Sequence, residues 1–224
     1  MTYREMINAV LRRLREDTIA SNWSGALVDA TTVTDYQKMI GDIVNEAKRE
    51  VEDAWNWTIL RASTTVATSA DTREYTISGT NERSRILMAQ EQSNGTILQE
   101  MSDKYLQFTK YPTSAVQKTL PDYYSVTGIS SGLIQVSFDP VPDAVYNITF
   151  RVVNPQAELS SATDTLNVPH NIVVLGALAR AIAERGEDGG SLSDMVYGQY
   201  REALSDAIQI EAGRTVNEVD FYAS

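Results

Sequence analysis

The chain has 224 residues, with no cysteine, one histidine and a formal net charge of −11. Without cysteine there are no disulfides or thiolate metal sites, and a single histidine excludes a cluster of imidazole ligands within one chain. The acidic charge argues against a surface that grips nucleic acid, because that affinity comes from clustered lysine and arginine. No apolar run approaches the roughly 20 residues that span a bilayer. We therefore expect no cofactor, metal or membrane partner.

Two helices are predicted at the start of the chain. Thr2 and Glu5 have the spacing of a capping box, and apolar residues then recur at helical steps through "MINAVLRRL". The second helix has Thr34 or Asp35 as its start, and its apolar residues continue at steps of three and four. This pattern predicts a long helix that ends near Asn56.

A β-rich block follows from Trp57. It contains seven short runs separated by turn residues: "WTILRASTTVAT", "REYTISG", "SRILMAQE", "GTILQEM", "YYSVTG", "LIQVSFDP" and "AVYNITFRVV". A short helical piece, "SDKYLQFTKY", interrupts them, with Ser102 as its cap and Pro112 as its stop. The runs "GLIQVSF" and "AVYNITFRV", joined by "DPVPD", form the clearest predicted hairpin.

Two more helices are predicted towards the C-terminus. The first has Pro169 in its first turn and Gly186 at its stop, and its middle is apolar or small on nearly all sides. Such a helix is buried among other helices. The second begins at Ser191 and includes "SLSDMVYGQYREALSDAIQIEA".

These elements predict an α+β protein. Residues 1–56 and 154–212 are expected to form one bundle of long helices, because neither half has enough apolar surface alone. Residues 57–153 are expected to form a central β-rich insertion of hairpins, arranged as a small barrel or sandwich. Residues 213–224 are expected to form an extended C-terminal tail.

The pattern G-x-S-x-G occurs at residues 128–132, in "VTGISSGLIQVSF". Ser130 would be the nucleophile of a hydrolase, and Asp164 and His170 follow in the order that an α/β-hydrolase triad requires. That chemistry needs a helix directly after the serine, whereas the residues after Gly132 are typical of a strand. We interpret the motif as a turn, Asp164 as a loop residue and His170 as a residue at a helix start.

Two other groups of residues admit a binding role. Glu184, Glu187 and Asp188 could offer oxygens to Ca²⁺, but they lack the D-x-D-x-D-G spacing, so a solvated loop is the favoured interpretation. Trp55 and Trp57 could stack on a base or a sugar. Since they lie at a helix-to-strand junction, we expect them to cover the core instead.

The assembled layout resembles the head-to-tail adaptor proteins of tailed bacteriophages, the connector group that includes tail tubular protein A. The resemblance covers nearly the whole chain. It depends on "EDAWNWTIL" after the opening helices, on "FDPVPDAVYNITFRV" at the end of the β-rich block, and above all on "VPHNIVVLGALARAIAERGED" followed by "YGQYREALSDAI".

The resemblance implies a structural virion protein without enzymatic activity, located in the head-tail neck and assembled in the host cytoplasm. Its partners would be other copies of itself in a ring, usually of twelve, the portal protein, and a tail nozzle or tail tube protein. DNA would pass through the ring without specific binding. The helices would form the ring wall, and the β-rich block would face tail components.

Two expectations and one alternative follow. The tail residues Val216, Val219, Phe221 and Tyr222 are expected to bind the portal, and the tail to become ordered only there. Acids of the helical part are expected to face the lumen, since a repulsive wall lets duplex slide. The alternative is a carbohydrate- or receptor-binding virion module that uses exposed aromatic residues of the β-rich block.

Overall fold

A computed structural model of the chain describes residues 1–20, 23, 25–105, 117–186 and 190–214. In chain order its elements are α1 (Tyr3–Arg13), α2 (Asp35–Ala54), a 3₁₀ turn (Thr58–Leu60), β1 (Arg61–Ala67), β2 (Glu74–Thr76), β3 (Arg85–Glu91), β4 (Ile97–Glu100), the helical turn α3 (Asp103–Tyr105), β5 (Tyr123–Ser130), β6 (Leu133–Asp139), β7 (Asn147–Val153), α4 (His170–Arg185) and α5 (Ser191–Arg214).

The protein has a mixed α+β fold, as the sequence predicts. It divides into two compact units. One unit, called the helical unit below, comprises residues 1–59 and 156–224, and the other, called the β unit, comprises residues 60–155. Within the described ranges, no helix combines the length and apolar character needed to cross a bilayer.

The predicted starts of the first two helices are confirmed. Thr2 caps α1 in a full capping box with Glu5, and Thr34 caps α2 in the same way with Gln37. In each box the threonine hydroxyl accepts from a backbone N–H that the helix leaves unpaired, while the carboxylate or amide side chain accepts from the N–H of the cap. Helix α2 ends at Ala54, two residues before the predicted end.

Helix α4 packs against three others, α1, α2 and α5, which confirms its predicted burial among helices. It begins directly after Pro169 and ends at Gly186, whose φ of 63° is the left-handed conformation that glycine adopts readily. The small residue Gly176 admits the ring of Tyr200 from α5, because a Cβ at this position would lie 3.0 Å from Tyr200 Cε2.

A buried ion pair fixes α2 to the segment after the β unit. Lys48 Nζ lies 3.1 Å from Glu52 Oε1, and their side chains are 1% and 0% exposed. Lys48 Nζ also donates to the Gln156 carbonyl at 2.7 Å, while Glu52 accepts from the Gln156 N–H at 3.2 Å. One turn earlier, Asn45 both donates to and accepts from the Leu159 backbone. These contacts hold the segment from residue 156 to residue 159 along α2.

The β unit is one curled sheet of seven strands in the order β1-β7-β3-β4-β5-β6-β2. Neighbouring strands are antiparallel except β4 and β5, which are parallel. The core inside the curl includes Tyr124, Phe138 and Phe150, and the ring of Phe150 contacts the rings of both Tyr124 and Phe138. Each of the seven sequence runs contributes one strand.

The hairpin predicted from β6 and β7 is wrong. β7 lies between β1 and β3, and β6 lies between β5 and β2, so the loop through Pro140 and Pro142 connects strands that do not pair. The tight hairpin is β5–β6, where Ser130 pairs with Leu133 across a two-residue turn. A two-residue turn forces its strands together, whereas the longer loop after Asp139 leaves each strand free to pair elsewhere.

Candidate functional site

The turn interpretation of the G-x-S-x-G motif is confirmed. Ser131 and Gly132 form the turn with φ values of 52° and 77°, which suit the primed hairpin turns. Ser130 is the last residue of β5, and Leu133 begins β6. Because a strand follows instead of a helix, Ser130 lacks the helix N-terminus that the nucleophile elbow depends on.

Asp164 and His170 have structural surroundings in the helical unit. Asp164 Oδ2 accepts from the N–H groups of Ser160 and Ser161, both at 2.8 Å. These hydrogen bonds, the Ser161 N–H first, lower the pKa of Asp164. The carboxylate therefore closes a turn, as expected of a loop residue. His170 is the exposed first residue of α4, as predicted.

The calcium hypothesis has no geometric support among the described residues. Glu184 is exposed near the end of α4, whereas Glu187 and Asp188 lie outside the described residues. Where the structure describes the chain, no group of three or more metal-ligating side chains comes together.

Trp57 belongs to the core, as the sequence predicts. It is 2% exposed, and its Nε1 donates to the Val51 carbonyl at 2.7 Å. Trp55 is half-buried at the end of α2. Thr58, which follows Trp57 in the chain, donates its N–H to Glu211 Oε1 at 2.6 Å and its hydroxyl to the same oxygen. The Trp57 ring is inaccessible to a ligand, so it packs in the core at this junction and does not form a stacking platform.

Among the described residues of the β unit, the hydroxyls of Tyr75 and Tyr146 are held by hydrogen bonds within that unit. Tyr75 Oη bonds the backbone of Ser69 and Thr72, and Tyr146 Oη donates to Asp143 at 2.6 Å. Tyr105 is 49% exposed. The described part of the β unit thus offers little of the aromatic surface that a sugar-binding module uses.

The tail residues Val216, Val219, Phe221 and Tyr222 lie outside the described residues. The helix before them is longer than predicted, since α5 continues through Gly213 and Arg214. Arg214 Nη1 lies 2.9 Å from Glu211 Oε2. The predicted portal contact of the tail therefore stays a prediction.

A basic groove lies at the end of α1. It has a volume of about 500 Å³ and is lined by Arg13, Leu14, Arg15, Glu16, Ile182, Arg185 and Leu192. Glu16, the one acid among its described lining residues, already pairs with Arg185 at 3.1 Å. The side chains of Arg13 and Arg15 are exposed, as is that of Arg12 beside them. Positive charge therefore collects here on a chain whose net charge is −11.

Exposed acids form a line along α2. Asp35, Asp42, Glu46 and Asp53 are all exposed, and their spacing of seven, four and seven residues places them on one side of the helix. We call this set the acidic stripe. A smaller group, Asp194, Glu202 and Asp206, shares the exposed side of α5.

Sequence reasoning did not identify the basic groove or the acidic stripe. The signals were present, as the run "LRRLRE" at the end of α1 and the periodic acids of α2. Both resemble ordinary solvated helix faces when read alone. Only the fold shows that Arg185 and Leu192, far along the chain, complete the groove.

Comparison with known protein families gives one match over nearly the whole chain. The family model described as SU10 adaptor protein matches residues 1–220. No similar curated protein was found.

Proposed function

The chain belongs to the SU10 adaptor protein family, a family of bacteriophage head-to-tail adaptors, and from this premise we propose that it joins the portal to the tail. It does so as a ring of copies, twelve by analogy with the connector group that the sequence resembles. The observation that carries the proposal is the family match over residues 1–220, which includes both units.

The proposal gives each part of the chain a role. The helical unit is a bundle interrupted by the β unit, and it forms the ring wall. The β unit faces a tail nozzle or tail tube protein. The two units act as separate domains, and residues 215–224 bind the portal through Val216, Val219, Phe221 and Tyr222.

The side of α5 that carries Asp194, Glu202 and Asp206 is the proposed lumen surface. These three exposed acids are accompanied by one exposed base, Arg201, apart from Arg214, which pairs with Glu211. A negative wall repels DNA phosphates and leaves no sites where duplex would stick during its passage. A ring structure with lysine and arginine on this wall would contradict the assignment.

Mass measurement of the purified chain, alone and mixed with the portal protein of the same virus, tests the function. We expect a portal complex that contains a ring of the chain. Deleting residues 215–224 should weaken portal binding and leave the folded monomer intact, because α5 ends before them. Failure of the intact chain to bind the portal would refute the adaptor assignment.

Catalysis is not part of the proposed function. Ser130→Ala should leave portal binding unchanged, because Ser130 only ends a strand beside a turn. Turnover of esters or amides by the purified chain, abolished by this substitution, would favour the hydrolase instead.

A further inference from the structure

The basic groove and the acidic stripe carry opposite charges. The groove combines exposed arginines with the apolar side chains Leu14, Ile182 and Leu192. Leu192 is 45% exposed. A helix with acidic side chains on its outer side fits such a groove, because its carboxylates pair with the arginines while its aliphatic parts cover the apolar lining.

Arg15 supports a binding role for the groove. The end of α1 closes with hydrogen bonds from the Arg15 N–H to the Arg12 carbonyl and from the Glu16 N–H to the Leu11 carbonyl, at 3.2 and 2.9 Å. This is the Schellman pattern, in which glycine commonly occupies the position of Arg15. Arg15 has a φ of 60°, a conformation that L side chains disfavour. The chain thus carries a guanidinium where its backbone favours glycine.

The acidic stripe provides the matching surface on the same chain. Asp35 and Asp53 are 18 residues apart, which is five helical turns and about 27 Å. The basic residues of α2 near the stripe are occupied, since Lys38 donates to the Val28 carbonyl at 3.1 Å and Arg49 pairs with Glu158. Around Asp42 and Glu46 the stripe therefore presents mainly negative charge.

We propose that the basic groove of one copy binds the acidic stripe of α2 in the next copy. The groove is built from α1, α4 and the start of α5, while the stripe belongs to α2, so the two are different surfaces of the helical unit. A contact between unlike surfaces is heterologous, and repetition of such a contact produces a ring when the rotation closes. This inference rests on the proposed adaptor ring and names the contact that builds it.

A charge-swap experiment with the full chain tests the contact. The groove variant is Arg13→Glu/Arg15→Glu, and the stripe variant is Asp42→Lys/Glu46→Lys. Each variant alone places like charges across the contact, so its self-association should weaken at least about tenfold. An equimolar mixture restores opposite charges at every contact and should assemble again. Sedimentation of each sample at low and high salt measures the effect.

Matched controls separate local charge from total charge. Arg151→Glu/Arg201→Glu changes the net charge as much as the groove variant. Glu82→Lys/Asp122→Lys, at two exposed acids of the β unit, changes it as much as the stripe variant. Both should assemble like the native chain. Circular dichroism should show that every variant retains the native helix content.

Several results would overturn the inference. These are assembly of either variant alone at native strength, failure of the mixture to assemble, or a native chain that stays monomeric. Binding of a labelled DNA duplex by the native chain, lost in the groove variant while assembly persists, would show that the groove serves DNA instead. In each case portal binding by the native chain would still support the adaptor function, so the two proposals fail separately.

Discussion

Removing one charge of the buried Lys48–Glu52 pair should strongly destabilise the helical unit. Lys48→Met leaves the Glu52 carboxylate, fully buried in the native state, without the charge 3.1 Å away. Breaking a buried pair in this way costs about 3–5 kcal/mol in the free energy of unfolding. Glu52→Leu should cost a similar amount, because it leaves the buried Lys48 ammonium without the Glu52 carboxylate.

The double variant Lys48→Met/Glu52→Leu should be much less damaging than the sum of the single changes. Both charges disappear, and the remaining cost is that of the hydrogen bonds to the Gln156 backbone, about 1–3 kcal/mol. Additivity would predict about 6–10 kcal/mol. The difference is the coupling energy of the pair.

Urea unfolding followed by tryptophan fluorescence measures these changes. All three tryptophans, Trp23, Trp55 and Trp57, lie in the helical unit, so the signal reports that unit. Single changes that cost less than about 1 kcal/mol, or a double change equal to their sum, would refute the view that each charge depends on the other.

Three further predictions concern stability. Arg15→Gly should raise the free energy of unfolding by about 1 kcal/mol, measured in urea, because it relieves the left-handed backbone. Gly176→Val should lower it by about 2 kcal/mol, since the new side chain meets the Tyr200 ring. Burial raises the pKa of Glu211, but hydrogen bonds from Thr58 and the Arg214 charge outweigh it and set the pKa below its ordinary 4.5. This stabilisation should be present at neutral pH and lost as the pH falls below that value, so acid should destabilise the native chain more than Glu211→Gln.

Each of these has a control. Ser131→Gly relieves a similar φ of 52° but should leave self-association unchanged, whereas Arg15→Gly should weaken it. Gly198→Val should be neutral or stabilising, because a Cβ there meets nothing within 4 Å. Thr58→Val removes the hydroxyl donor and should shrink the acid effect. Equal destabilisation by Gly176→Val and Gly198→Val would contradict the role of the Tyr200 ring. Identical acid profiles for the native chain and Glu211→Gln would contradict the role of the Glu211 carboxylate.

The sequence predicted the helices well because their signals are local. The capping boxes at Thr2 and Thr34, the glycine at residue 186 and the apolar middle of α4 each act within a few residues or along one helix. The turn at Ser131 was also predictable, since two residues between strands leave few alternatives. Lys48 and Glu52 gave no such signal, because burial of a charged pair depends on a segment about 100 residues later.

By itself, the sequence determined the order and type of the elements and the α+β class. It also showed a resemblance to phage head-to-tail adaptors, which agrees with the family match. It could not determine that β7 lies between β1 and β3, because any of seven strands can pair once the loops are long enough. The tertiary structure also decided which charges share a surface. The basic groove exists only because α4 and α5 bring Arg185 and Leu192 to the end of α1, and contacts between sequence-distant residues leave no periodic pattern along the chain.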